Sequence, residues 1–336
     1  MSHFNVVVAV PAEKLRGLTI NRDIMEEILE PIMAPYWEST EEPEFLKFVD
    51  CTETCKKEYL TDTCDFVKLP DGTVCTTGDR RFYSKYEIFE DSVCAHREKF
   101  TDTPVETEDS RNVVLIRNEP VANHYSFEDY CSSYCGYKKN AANQWGYYNN
   151  PNAEWDWYEI GGRWSGSFLA KKGLPDTIYA PEALPPDDPS LVGSAAIDGA
   201  RKKDILWDDM HRIIRKKAEH QYFRLVHAFE SKKIDDLNCI STIKEDGIYG
   251  WGDILYKAGE SLNEYLKRVG LADDIRGSFC PYAFVDKDGQ WHSQGEMGWF
   301  GLSSGDMPAE DWNKEFNAFI GSLSPDDFIV SVDCHI

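Results

Sequence analysis

From His3 onward Phe4, Val6, Val8 and Val10 fall on one side of an extended chain and Val7 and Ala9 on the other. Apolar residues on both sides predict a strand buried on both faces. Asn21 stands where a helix N-cap belongs, ahead of Ile24, Met25, Ile28, Leu29 and Ile32 on one helical face, and Pro35 sets the limit. Residues 112–117 predict a buried strand. Ser126, with Asp129 at the capping position, predicts a helix through Phe127, Tyr130, Cys131 and Tyr134. Prolines at 175, 181, 185, 186 and 189 predict irregular chain over 171–200. After Asp204, the residues Trp207, Met210, Ile213, Ile214, Ala218, Tyr222, Leu225, Val226 and Phe229 trace one face of about six helical turns. Ser261-Leu262-Asn263-Glu264 is a capping box, with Gly270 at the far end. Segments 282–286 and 290–293 flank Lys287-Asp288-Gly289, a hairpin signal. Pro308 opens a helix carrying Trp312, Phe316, Phe319 and Ile320. Phe328, Val330 and Val332 then alternate in a closing strand apolar enough to lie inside a sheet.

The stretch 38–110 is written differently. It is polar and acidic, and holds Cys51, Cys55, Cys64, Cys75 and Cys94, with strand-like pieces around Pro70-Asp71-Gly72. The pattern as a whole predicts an α+β fold: a mixed, mainly antiparallel sheet with packed helices and an inserted Cys-rich subdomain. The main domain is expected over 1–37 and 111–336, and the insertion over 38–110.

Composition narrows the classes. A chain of 336 residues with 42% hydrophobic and 13% aromatic content can build a large core. Its formal net charge of -23 argues against direct binding to nucleic acid. Acidic charge serves solubility, and equally allows a protein to bind basic partners or to occupy a nucleic-acid groove in place of phosphates. No run approaches the roughly 20 apolar residues of a membrane span. The opening lacks a basic leader region, so it reads as a strand and the cysteines as thiols in a reducing cytoplasm.

The densest candidate chemistry lies at Trp155-Asp156-Trp157-Tyr158-Glu159-Ile160-Gly161-Gly162-Arg163-Trp164-Ser165-Gly166. Aromatic faces, a guanidinium fork and glycines that permit close approach suit a ligand pocket or a recognition surface. An aromatic strand and tight turn, with Arg163 paired to Asp156 or Glu159, is the structural alternative. A second such segment is Gly295-Glu296-Met297-Gly298-Trp299-Phe300-Gly301, and the chain closes on Asp333-Cys334-His335-Ile336. Candidate ligand- or partner-contacting residues are therefore Trp155, Asp156, Trp157, Tyr158, Arg163, Trp164, Glu296, Trp299 and His335. Cys51 and Cys55 are four apart, as are Cys131 and Cys135, so the four together are candidate zinc ligands. Zinc more often uses two-residue spacers, and small buried thiols are the reading this spacing favours.

Several of these strings resemble a family of uncharacterised bacteriophage and prophage proteins. They are Met1-Ser2-His3-Phe4, Pro151-Asn152-Ala153-Glu154-Trp155-Asp156-Trp157-Tyr158 running on to Gly161-Gly162-Arg163-Trp164, Gly295-Glu296-Met297-Gly298-Trp299-Phe300-Gly301, and Val332-Asp333-Cys334-His335-Ile336. Arg201-Lys202-Lys203-Asp204-Ile205 resembles that family as well, whereas residues 40 to 110 do not. The resemblance implies a viral setting in the host bacterial cytoplasm and no established reaction. Setting, charge and the residues themselves lead to two expected functions. One is an accessory protein that binds and inhibits a host protein complex, such as an anti-phage defence nuclease, through acidity and aromatic hot spots. The other is an enzyme or binder for a nucleotide-like small molecule, with Asp156, Glu159, Glu296 or His335 as base.

Overall fold

A computed structural model of the chain describes residues 2–181, 191–233, 241–250, 253–271, 280–298 and 302–336. The chain is an α+β protein that divides into two compact units, one of residues 1–41 with 152–336 and one of residues 42–151. Among the described residues no helix is long and apolar enough to cross a membrane.

In the first unit the two chain ends meet. β1 (His3–Val10), β2 (Trp157–Ile160), β3 (Phe168–Lys171), β4 (Ser194–Arg201), β5 (Ala283–Val285), β6 (Trp291–Ser293) and β7 (Phe328–His335) form one sheet in the order β3-β4-β7-β1-β5-β6. β2 lies against β7 beside the part that β4 leaves uncovered. β1 runs parallel to β5, and the other pairings are antiparallel. Every residue of β7 is buried, as expected of the strand that pairs with β1 on one edge and with β2 and β4 on the other.

Alternation gives this sheet two apolar faces. Phe4, Val6, Val8, Val10, Val330 and Val332 pack against Met25, Leu29 and Met33 of α1 (Arg22–Met33), capped by the Asn21 side chain. Val7, Ala9, Ile329 and Phe284 pack against Trp312, Phe316 and Phe319 from a later helix, Ala309–Ser322. A third core joins the helices Trp207–Ser231 and Leu262–Arg268 to a small antiparallel sheet of Ser241–Lys244, Gly247–Gly250 and Asp253–Lys257. The Ser261–Glu264 capping box forms as the sequence predicts.

The second unit is built on three-stranded antiparallel sheets, one of Thr63–Lys68 with Val74–Thr76 and Val114–Pro120, the other of Lys47–Asp50 with Trp145–Asn149 and Lys138–Lys139. Its boundaries differ from the predicted insertion. Residues 111–151 belong to it because Val114–Pro120 pairs with Thr63–Lys68 and Trp145–Asn149 with Lys47–Asp50. Val114–Pro120 is an edge strand and mostly exposed or half-buried, against the expectation of burial. The helix predicted after Ser126 is a three-residue turn that widens into a π-turn at Tyr130–Tyr134. In the first unit, part of the predicted irregular stretch is β4. Its sequence, Ser-Ala-Ala-Ile-Asp-Gly-Ala-Arg, has little β propensity, and Gly199 is needed there because Phe328 and the Ile329 carbonyl leave no room for a Cβ.

Candidate functional site

The register of β1 on β7 sets His3 opposite His335 and Asn5 opposite Asp333, and β2 sets Trp157 beside His335. With a two-residue period, all five side chains emerge from one face of the sheet. His3 Nδ1 lies 2.9 Å from Asp333 Oδ1, and His335 Nδ1 lies 2.6 Å from Asp156 Oδ1. A carboxylate only accepts, so in each dyad Nδ1 carries the proton and Nε2 is left with the lone pair when the ring is neutral. The two imidazoles stand edge to face at 4.9 Å between ring centres. The Trp157 indole stacks on His335 at 5.3 Å and meets His3 edge-on at the same distance, while remaining 43% exposed. Among the described residues neither Nε2 makes a hydrogen bond to another side chain or to the backbone; only a pair at 3.6 Å involving a different histidine, His124, uses that atom at ion-pair range outside the hairpin histidine His292.

The turn after β2 secures these groups. Asp333 is buried and takes the Arg163 amide at 2.9 Å through its second oxygen. Asp198, also fully buried, accepts from Arg22 Nη2 at 2.5 Å, Ser165 Oγ at 2.9 Å and the Gly166 amide at 2.7 Å. Gly161 and Gly162 have φ of 73° and 47°, and any Cβ on them would run into Asp198 and Asp333 respectively. The two glycines thus let the backbone lie against two buried carboxylates, one of which orients His3.

The predicted site residues divide. Asp156, Trp157 and His335 come together. Trp155 and Tyr158 are core: Trp155 stacks on Trp37 at 6.1 Å and meets Tyr158 edge-on, and burial pushes the Tyr158 hydroxyl up to about 12. Arg163 is exposed and, among the described residues, its guanidinium pairs with neither Asp156 nor Glu159. Trp164 is half-buried in the turn. Glu296 does not join Arg163. It stands near Glu154, whose carboxyl is pushed up to about 7 by burial and then by the Glu296 charge. Trp299, with Phe300 and Gly301, lies outside the described residues. Cys51, Cys55, Cys131 and Cys135 gather in one core of the second unit.

No family model, curated protein or solved structure matches this chain. Its chemistry therefore has to be read from the site. His3, Asp333, Asp198, Arg22 and Glu154 are the residues that sequence reasoning missed. The signal available for the first two was their place in the terminal strings, Met1-Ser2-His3-Phe4 and Val332-Asp333-Cys334-His335-Ile336. Only the pairing of those two ends gives them a common meaning.

Proposed function

We propose that this chain binds a small phosphate ester of the nucleotide kind and moves protons on it with His3 and His335. The observation that carries this reading is the pair of imidazole–carboxylate dyads on one sheet face. Each carboxylate holds a ring in one tautomer and orientation, the arrangement that makes an imidazole an oriented base or acid. With two such rings side by side, one takes a proton from the attacking oxygen and the other supplies one to the leaving oxygen. The half-exposed Trp157 offers a face for a base, and the exposed Arg163, unpaired among the described residues, a fork for phosphate. The net charge of -23 disfavours long polyanions and is compatible with a small ester.

The test is a panel of nucleotides and phosphodiesters, read for binding by calorimetry and for turnover by phosphate or product release. His335→Ala and His3→Ala are each expected to lower turnover by about 10²–10⁴-fold, and Trp157→Ala to weaken binding. Absence of both binding and turnover across the panel overturns the proposal.

A second reading draws on the second unit, where Phe100 is fully exposed and Tyr83 and Tyr148 are about half exposed. There the chain is an accessory protein in the bacterial cytoplasm that binds and inhibits a host complex, possessing aromatic contacts of the hot-spot kind. A near-stoichiometric host partner captured by the chain and lost on Phe100→Ala or Tyr148→Ala supports it; capture that both variants retain removes its basis.

A further inference from the structure

Cys51, Cys55, Cys64, Cys131 and Cys135 pack together around Tyr130 and Trp145 in one core of the second unit, and all are free thiols. Two pairs among them are presented by single turns. Cys51 and Cys55 span the start of helix Thr52–Tyr59, where the Cys55 amide donates to the Cys51 carbonyl at 2.8 Å. Cys131 and Cys135 span the π-turn, where the Cys135 amide donates to the Tyr130 carbonyl at 2.8 Å. Cys131, Cys135 and Cys51 share a core with Cys55 and stand close enough to act on its thiol electrostatically.

We propose that Cys51, Cys55, Cys131 and Cys135 bind one soft divalent cation of the zinc class as four thiolates. Four sulfurs on two turns are the donor set of a closed structural site. Binding such a cation releases the thiol protons to solvent. No three His, Cys, Asp or Glu side chains among the described residues already stand in coordinating geometry. The ion has to draw the sulfurs in, and a single χ1 step moves a cysteine sulfur by about 3 Å. The second unit gains from such a link, because it divides its apolar residues between two small cores and small cores are commonly stapled by metal.

The test uses the full chain, purified under reducing conditions, dialysed against zinc and read by elemental analysis and native mass spectrometry. About one zinc per chain is expected, and cobalt in its place should give thiolate-to-metal charge-transfer absorption. Cys55→Ser and Cys131→Ser should retain at least about tenfold less zinc, while Cys75→Ser, in the other core, retains it. Where a serine variant fails to fold, the cobalt spectrum of the unaltered chain decides. Zinc below about a tenth of an equivalent with no charge-transfer band, or a disulfide between Cys55 and Cys131, overturns the proposal.

Discussion

At the scale of single residues, the most perturbed carboxyl near the site is Glu154, pushed up to about 7 by burial and then by Glu296. Its folded form keeps a proton that the unfolded chain releases near the ordinary carboxylate value. The stability it contributes is therefore complete at low pH, declines as pH rises towards about 7, and is lost above that. Glu154→Gln should remove this slope. We expect the variant to match the natural chain in urea midpoint at about pH 5 and to exceed it at about pH 8; parallel curves for the two proteins would count against the raised value. Sequence reading singled out Glu296 and passed over Glu154, because a glutamate's burial depends on what covers it and nothing in the string Asn-Ala-Glu-Trp indicates that.

At the scale of elements, the turn Gly161–Gly166 is the piece whose logic is most local. The doubled glycine and the following Arg-Trp-Ser-Gly were legible as a tight turn, and a close approach was part of that reading. What approaches was not legible. The partners are Asp198 and Asp333, which come from strands about 30 and 170 residues away and are set there by strand pairing. Gly162→Ala places a methyl group against Asp333 in a left-handed backbone position. It is expected to cost about 3 kcal/mol in chemical unfolding and to disturb the His3–Asp333 contact, visible as a shifted His3 resonance in the NMR spectrum. A variant as stable as the natural chain, with His3 unchanged, would mean that the turn has room the structure does not give it. The long helix, the Ser261 cap and the 283–293 hairpin were read correctly for the opposite reason: periodicity, caps and turn residues act over a few neighbours.

At the scale of the whole molecule, the decisive feature is that the first and last strands are neighbours. Deleting residues 328–336 removes the strand that pairs with β1, β2 and β4 and opens both apolar faces of the sheet. The truncated chain is expected to lose cooperative unfolding and near-ultraviolet circular dichroism, and a sharp transition near that of the intact chain would refute this. By itself the amino-acid sequence determined the class of fold, the burial of both terminal strands, the helices Arg22–Met33, Trp207–Ser231, Leu262–Arg268 and Ala309–Ser322, and the presence of a second, Cys-rich body, because those follow from local patterns of apolar and capping residues. Only the tertiary structure decided where the second body ends, that the Ser194–Arg201 segment is a strand despite its small residues, and that Trp155 and Tyr158 serve the core while Trp157 flanks two histidines. Each of these turns on long-range pairing. A residue's partner across a sheet is set by the free energy of burying whole faces together, and that sum is not written in any one stretch of chain.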